Sequence, residues 1–225
     1  MYFSRIELNR DGPAVARLLK SLAADEYRHH QIVWRLFKGS QERDFLYRRE
    51  DAGHWPRYYT VSTREPQDND GLWNIDTKAY APSLENGMTL AFSLRVNPVV
   101  TRKSEDGKRQ RHDVVMDHKK QIGFKDMPAA DRPPLQSIVR DAGLAWLRSR
   151  AGKHGFSIQE GLITVDGYEQ HLSSKHAGAK PIRFSTVDFG GLLTVTDEQV
   201  FKQALFSGIG PAKGLGCGML MVRRI

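Results

Sequence analysis

Tyr27, His30, Trp34 and Phe37 recur at spacings of three, four and three residues, which at about 100° per residue sets them along one stripe of a helix. An imidazole beside a phenol is equipped to move a proton near neutral pH, with His30 as general acid or base and the Tyr27 hydroxyl holding a reacting oxygen. The same spacing also suits a packed core histidine whose ring is satisfied by a backbone carbonyl. His29 points about 100° away from this stripe and is expected at the surface. No defensible Ser/His/Asp order accompanies the stripe. Asp25, Glu26, Asp44 and Glu50 are scattered, which disfavours metal-dependent cleavage.

A second stretch with chemical potential is Gly208-Ile-Gly-Pro-Ala-Lys-Gly-Leu-Gly-Cys-Gly218, with five glycines in eleven positions. So many glycines leave little side chain to pack and much freedom at positive φ, which suits a loop whose backbone amides approach phosphate closely. The plainer alternative is a flexible turn between a helix near Asp197 to Ser207 and a strand from Met219 to Arg223. A dinucleotide turn would need a strand before the glycines, then a helix and more sheet after them. A Walker loop needs Gly-Lys-Ser/Thr, whereas Lys213 is followed by Gly214 and Leu215. What fits is a phosphate-lining loop of a less common kind, with Gly208, Gly210, Gly214 and Gly216 in its backbone and Lys213 as its cation.

The charge balance agrees with an anionic partner. Thirty-four basic against 26 acidic residues give +8, with an isoelectric point near 9.6, and this favours a polyanion such as nucleic acid. One cluster holds Arg102, Lys103, Lys108, Arg109, Arg111, Lys119 and Lys120; another runs through Lys175, His176, Lys180 and Arg183. Both lie near glycine turns, in segments that read as strand edges or hairpin tips. The single cysteine, Cys217, excludes an internal disulfide and a Cys-based zinc cluster and fits a small residue in a crowded loop. Mean hydropathy is −0.52, no run approaches the roughly 20 apolar residues of a membrane span, and the first eight residues lack a signal-peptide core. The expected location is the cytoplasm.

The elements that must position these groups follow from periodicity. Residues 2–8 read as a strand. After Asp11-Gly-Pro13, Val15, Leu18, Leu19 and Leu22 recur at helical spacing, and a second helical segment spans Glu26 to Leu36. Phe45 to Arg49 and Tyr58 to Ser62 read as strands joined by a turn at Asp51 to Gly53. Residues 64–87 are expected to form a loop with a short helix near Leu72 to Ala79, followed by a strand from Thr89 to Val100. Further on come a helix from Leu135 to Ala151, strands Phe156 to Val165 and Ile182 to Val195, a helix from Asp197 to Phe206, and a final strand. This order predicts an α+β protein of two tandem ferredoxin-like (RRM-like, βαββαβ) domains, an N-terminal one over 1–88 carrying the Tyr27/His30 helix and a C-terminal one over 89–225 carrying the basic segments and the glycine loop.

The opening Met-Tyr-Phe-Ser, the block His30-Gln-Ile-Val-Trp-Arg-Leu-Phe37 followed by Asp44-Phe-Leu46, the segment Leu94-Arg-Val-Asn-Pro98 and the C-terminal glycine loop together resemble the Cas6e (CasE or Cse3) CRISPR RNA endoribonucleases of type I-E systems. The resemblance runs nearly the whole length of the chain. It implies two ferredoxin-like domains in tandem. It also implies metal-independent cleavage of CRISPR precursor RNA at the 3′ base of the repeat hairpin by attack of the ribose 2′-OH, no cofactor, retention of the product, and assembly into Cascade. On this resemblance His30 and Tyr27 are the catalytic pair. A basic hairpin over roughly Tyr168 to Phe189 enters the groove of the RNA stem, which makes Lys175, Lys180 and Arg183 RNA-binding candidates. Arg109, Arg111, Lys213 and the loop glycines join them from the charge and loop reading. The rival reading is a non-catalytic RNA-binding subunit on the same fold with His30 merely packed. A small-molecule enzyme using the glycine loop for nucleotide phosphate is a third.

Overall fold

Alternation of small or apolar with polar residues builds the first sheet. In β1 (Tyr2–Leu8) Ser4, Ile6 and Leu8 are buried while Arg5 is exposed, the period of two that a half-buried strand imposes. It is joined by β2 (Phe45–Ala52), β3 (Trp55–Ser62) and β4 (Trp73–Ala79) in the order β2-β3-β1-β4, every pair antiparallel. The helix α1 (Glu26–Arg35) precedes β2. The computed structural model describes the chain except residues 10–14, 16, 17, 20, 21, 23–25, 40, 41, 54, 105 and 174–180, and except the side chains of Glu26 and Ala52. Within the stretch before α1, Val15, Leu18, Leu19 and Leu22 are helical and pack with Ile6, Val33, Leu36, Phe37 and Tyr58.

The second sheet repeats the plan with longer parts. Its strands are β5 (Thr89–Val96), β8 (Phe156–Ser173), β9 (Ile182–Val195) and β10 (Leu220–Arg224), ordered β10-β5-β9-β8. A hairpin of β6 (Val99–Lys103) and β7 (Arg109–Asp113) and the helices α2 (Val114–Gln121) and α3 (Leu135–Ala151) intervene between β5 and β8, and α4 (Glu198–Ser207) precedes β10. Counted within its own sheet, each unit's strands run 4-1-3-2 or its mirror listing, the ferredoxin-like arrangement predicted from element order. Helix α3 presses on the sheet where Gly143 brings its backbone against Val165 and Phe189, and the Trp146 ring stacks on Phe189 at 6.1 Å. Asp197 caps α4 by accepting from the amides of Gln199 and Val200, which satisfies donors that a helix start leaves open.

Three expectations change, the first being that the strand expected from Thr89 to Val100 breaks at Asn97-Pro98 into β5 and β6, which lie in different sheets. The helix expected near Leu72 to Ala79 is the strand β4: Trp73, Ile75 and Thr77 alternate with Asn74, Asp76 and Lys78, and the backbone pairs with β1 from Tyr2↔Ala79 to Leu8↔Trp73. The fourth strand of the first sheet is thus β4, and the strand from Thr89 lies in the second sheet. Likewise β8 continues past Val165 to Ser173, because register shifts between Ile158 and Ile163 and between Asp166 and Glu169 interrupt its alternation without ending its pairing with β9.

The faces turned away from the helices meet. Leu46, Val61 and Met219 are buried together against Phe3, Tyr59, Tyr80, Phe206 and Met221. Beside them the buried Arg48 donates from Nη1 to Ser93 Oγ at 2.7 Å, and Arg95 grips Asp188 with two hydrogen bonds of 2.9 and 2.7 Å. Burial holds the Arg48 guanidinium below its ordinary range, against the pull of Asp188 and Glu50.

The glycine loop leaves α4 and is braced at both ends. Ile209 N donates to Gly218 O at 2.8 Å and Gly218 N to Arg95 O at 2.7 Å. Gly218 has φ +87, and a Cβ there would stand 2.7 Å from Ile209 O, whereas a Cβ on Gly214 would meet only His30 ring atoms at 3.7 Å. Gly218→Ala is thus expected to lower unfolding free energy by about 1–3 kcal/mol, and Gly214→Ala to change it by no more than about 0.5 kcal/mol. Urea midpoints of the two variants check this, and equal midpoints would refute the distinction.

Candidate functional site

Helix α1 has two adjacent stripes. The inward one is His29, Ile32 and Val33, continued by Leu36 just past the helix end, all buried; the stripe of Tyr27, His30 and Trp34 lies beside it, half-buried at the rim. The expectation that His29 is a surface residue is corrected: its ring is 5% exposed and its Nδ1 shares a 2.6 Å hydrogen bond with the hydroxyl of the fully buried Tyr58. Ile32, Val33 and Leu36 centre the buried face one residue away from the aromatic stripe, which draws His29 in and leaves His30 at the edge. The rim stripe is continuous, with ring centroids 5.2 Å apart for Tyr27 and His30 and 5.5 Å for His30 and Trp34.

Across the rim stands the glycine loop. His30 Nδ1 donates to Gly214 O at 2.6 Å, and since a carbonyl oxygen can only accept, this contact puts a proton on Nδ1. In the neutral ring the lone pair is then on Nε2, the nitrogen through which a proton can be exchanged. The loop therefore meets the imidazole with a carbonyl, where the glycine content suggested only amides. Gly208 and Gly216 are buried, and Gly210, Lys213 and Gly214 are half-buried, so the first two shape the loop and the other three stand at its accessible side.

Lys213 sits in a field of like charge. Burial and then the Arg43 guanidinium hold its ammonium below the ordinary range. Burial, followed by Arg150, Lys213 and Lys153, does the same to the imidazole of His154. An anion placed here would relieve that repulsion.

The basic hairpin reaches the same place from the other side. The Tyr27 amide donates to Ser173 Oγ at 3.1 Å, which fixes the far end of β8 against the start of α1. Next to it a cleft of about 690 Å³ is lined by Arg111, Arg183, Asn97, His171, Phe184 and Pro211, among others. Its floor is tied together through Asp113, which caps α2 and accepts from Tyr168 and Ser185. Arg111 and Arg183 are thus brought together. Arg109 lies exposed on β7 opposite Lys103, away from that lining. Arg102 is paired with Asp117. Lys175 and Lys180 lie outside the described residues. Among the described residues no three of His, Cys, Asp and Glu converge as a metal site, and no helix is long and apolar enough to cross a membrane.

Sequence reasoning missed Arg43, Tyr47, His154 and Ser173. Tyr47 had a local signal: two residues after Phe45 on a strand, it had to share that residue's face. The other three are joined to the site only by long-range folding.

Comparisons with known proteins identify the family. The family model described as CRISPR associated protein matches residues 1–224. The chain is 28% identical over 207 residues to the CRISPR system Cascade subunit CasE of Escherichia coli strain K12, covering 90% of this chain and 94% of that protein. It is also 28% identical over 244 residues to the CRISPR-associated endoribonuclease Cse3 of Thermus thermophilus, covering 99% of each. A solved structure of the endoribonuclease Cse3 bound to a 19-nucleotide RNA superposes with a TM-score of 0.69 at 25% identity, over 99% of this chain and all of the other. With its two ferredoxin-like sheets and its matched length, the chain belongs to the CRISPR-associated protein family, in the Cas6e group that includes CasE and Cse3.

Proposed function

We propose that this protein is an endoribonuclease that cuts CRISPR precursor RNA at the 3′ base of the repeat hairpin, keeps the product and joins a Cascade complex. The observation that carries the reading is the meeting of Tyr27 and His30 with the Lys213 loop at the end of the basic hairpin. The relatives' names supply the substrate class and the assembly: one is an endoribonuclease, the other a Cascade subunit. The division into units at 1–88 and 89–225 belongs to the same proposal, with the substrate held where the two meet.

In this mechanism the ribose 2′-OH attacks the adjacent phosphate in line, expelling the 5′-oxygen and leaving a 2′,3′-cyclic phosphate. His30 moves a proton at Nε2, either from the 2′-OH or to the departing 5′-oxygen, and Tyr27 orients the reacting oxygen. Such a group contributes about 10² to 10⁴-fold, and in-line alignment of the nucleophile supplies much of the rest. Lys213, with Arg43 behind it, faces the charge that develops on the phosphoryl oxygens. No step requires a metal or cofactor. Arg111 and Arg183, with Lys175 and Lys180, hold the stem by its phosphates, since the deep, narrow major groove of A-form RNA limits base reading.

His30→Ala is expected to slow single-turnover cleavage of a repeat hairpin by at least about 100-fold while hairpin affinity stays nearly unchanged. Joint loss of binding and cutting would make the histidine structural. Hairpin bound but uncut by the parent protein would favour the non-catalytic subunit.

A hairpin with one 2′-deoxy ribose upstream of the cut should bind and remain whole, and the parent should keep its rate in EDTA. Cleavage of the deoxy substrate, or loss of the rate in EDTA, rejects the mechanism.

Arg111→Ala and Arg183→Ala should each weaken hairpin binding and reduce the slope of log affinity against log salt by about one, with little effect on the rate at saturation. An unchanged slope would place the RNA elsewhere.

A further inference from the structure

The Gly214 carbonyl serves two donors. Besides His30 Nδ1 at 2.6 Å it accepts from the Tyr47 hydroxyl at 3.3 Å, and the two lone pairs of a carbonyl oxygen accommodate both. Tyr47 projects from β2 and is 2% exposed, its ring set between Phe45 and Tyr58 with centroids 6.5 and 6.4 Å away. Its ring edge also lies against Gly216, where a Cβ would stand 3.2 Å from it. The peptide carrying the carbonyl has much weaker support of its own. Gly214 is the centre of a single three-residue 3-10 turn, Lys213–Leu215, flanked by left-handed residues on both sides, Ala212 at φ 57 and Gly216 at φ 79. Such a turn is held by few hydrogen bonds and has little resistance to rotation of its peptide planes.

We propose that Tyr47 is a positioning residue for His30: by anchoring the Gly214 carbonyl to the first sheet, its hydroxyl keeps the His30 proton on Nδ1 and so reserves Nε2 for the reacting oxygen. This rests on the nuclease reading for its consequence, but not for its structural content. Tyr47 itself does not touch the substrate in this account. It acts through one oxygen atom, and the ring that carries that hydroxyl is immobilised by the aromatic core of the sheet, so the positional precision of β2 passes to a loop that lacks it.

Tyr47→Phe removes only the hydroxyl and keeps the packing. Histidine nitrogen NMR on ¹⁵N-histidine-labelled protein reads the tautomer directly. The parent should show neutral His30 protonated at Nδ1, and Tyr47→Phe a mixture with the Nε2-protonated form. The single-turnover rate at saturating hairpin should fall by about 10- to 100-fold, with the dissociation constant unchanged. Tyr58→Phe is the control for general damage to the same core: it removes the hydroxyl bonded to His29 and should leave the His30 tautomer as in the parent. A Tyr47→Phe protein with the parent's tautomer, or with the parent's rate while His30→Ala is dead, overturns the proposal. Should His30→Ala cut as fast as the parent, the nuclease assignment of His30 falls instead, and the tautomer measurement still decides whether Tyr47 holds the carbonyl that orients it.

Discussion

One hydrogen bond, from His30 Nδ1 to the carbonyl of Gly214, joins positions 184 residues apart in the chain. A helix in the first unit and a turn near the end of the second must both be formed, and docked, before that 2.6 Å contact exists. Bringing distant segments together has an entropic cost that grows slowly with the length of chain between them, so the bond cannot create the docking that it depends on. The docking rests on the apolar patch of Leu46, Val61 and Met219 and on the hydrogen bonds that cross between the units, Arg48 to Ser93 and the Tyr27 amide to Ser173. The contact then reports whether the whole assembly is in register.

The interface between the sheets is part oil and part ion. Arg48 is buried there and in contact with Ser93, with the Arg95–Asp188 pair close by. Taking a guanidinium out of water costs more than an isolated ion pair usually returns, and apolar residues would seal the seam as well or better. What the charged groups supply is geometry. A guanidinium donates only along its fixed, planar N–H directions, whereas methyl groups slide. The hydrogen bond that crosses the seam runs from Arg48 on β2 to Ser93 on β5, while the Arg95–Asp188 pair ties β5 to β9 within the second sheet and stiffens that wall of the seam.

The sequence made the fold legible where periodicity is clean. The helix over 135–151 and the strand over 182–195 match their expected ends, the helix because it repeats one period throughout and the strand because Val187, Phe189, Leu193 and Val195 keep one face over most of its length. It failed where two periods compete or one is broken. Trp73 to Ala79 does alternate, but its outward residues and the stretch before it are polar and turn-rich, which masks the strand that pairs with the edge of β1. The bulged β8 loses its alternation at the bulges while keeping its partner. In the site, the aromatic stripe was visible, but His29 and His30 could be told apart only by knowing where the sheet lies relative to α1. Arg43, His154 and Ser173 were invisible for a different reason. Nothing in a local window ties the start of β2 to Lys213, or Ser173 to the Tyr27 amide.

The same loop concentrates positive charge that the fold keeps partly dry. Lys213 is driven below its ordinary pKa first by burial and then by Arg43, and His154 by burial, Arg150, Lys213 and Lys153. In each case burial is the first cause and neighbouring cations the second. Under the proposed reading a phosphate entering beside His30 releases that repulsion, and the release is greatest where negative charge peaks, on the phosphoryl oxygens as the 2′-oxygen attacks. Surface lysines in water would gain far less from the same anion, because solvent already screens them. On that proposal half-burial of the loop serves the chemistry. It raises the free energy of the cations by themselves so that charge arriving among them is stabilised more strongly, and it requires the surrounding core to be rigid enough to hold those cations together in the meantime.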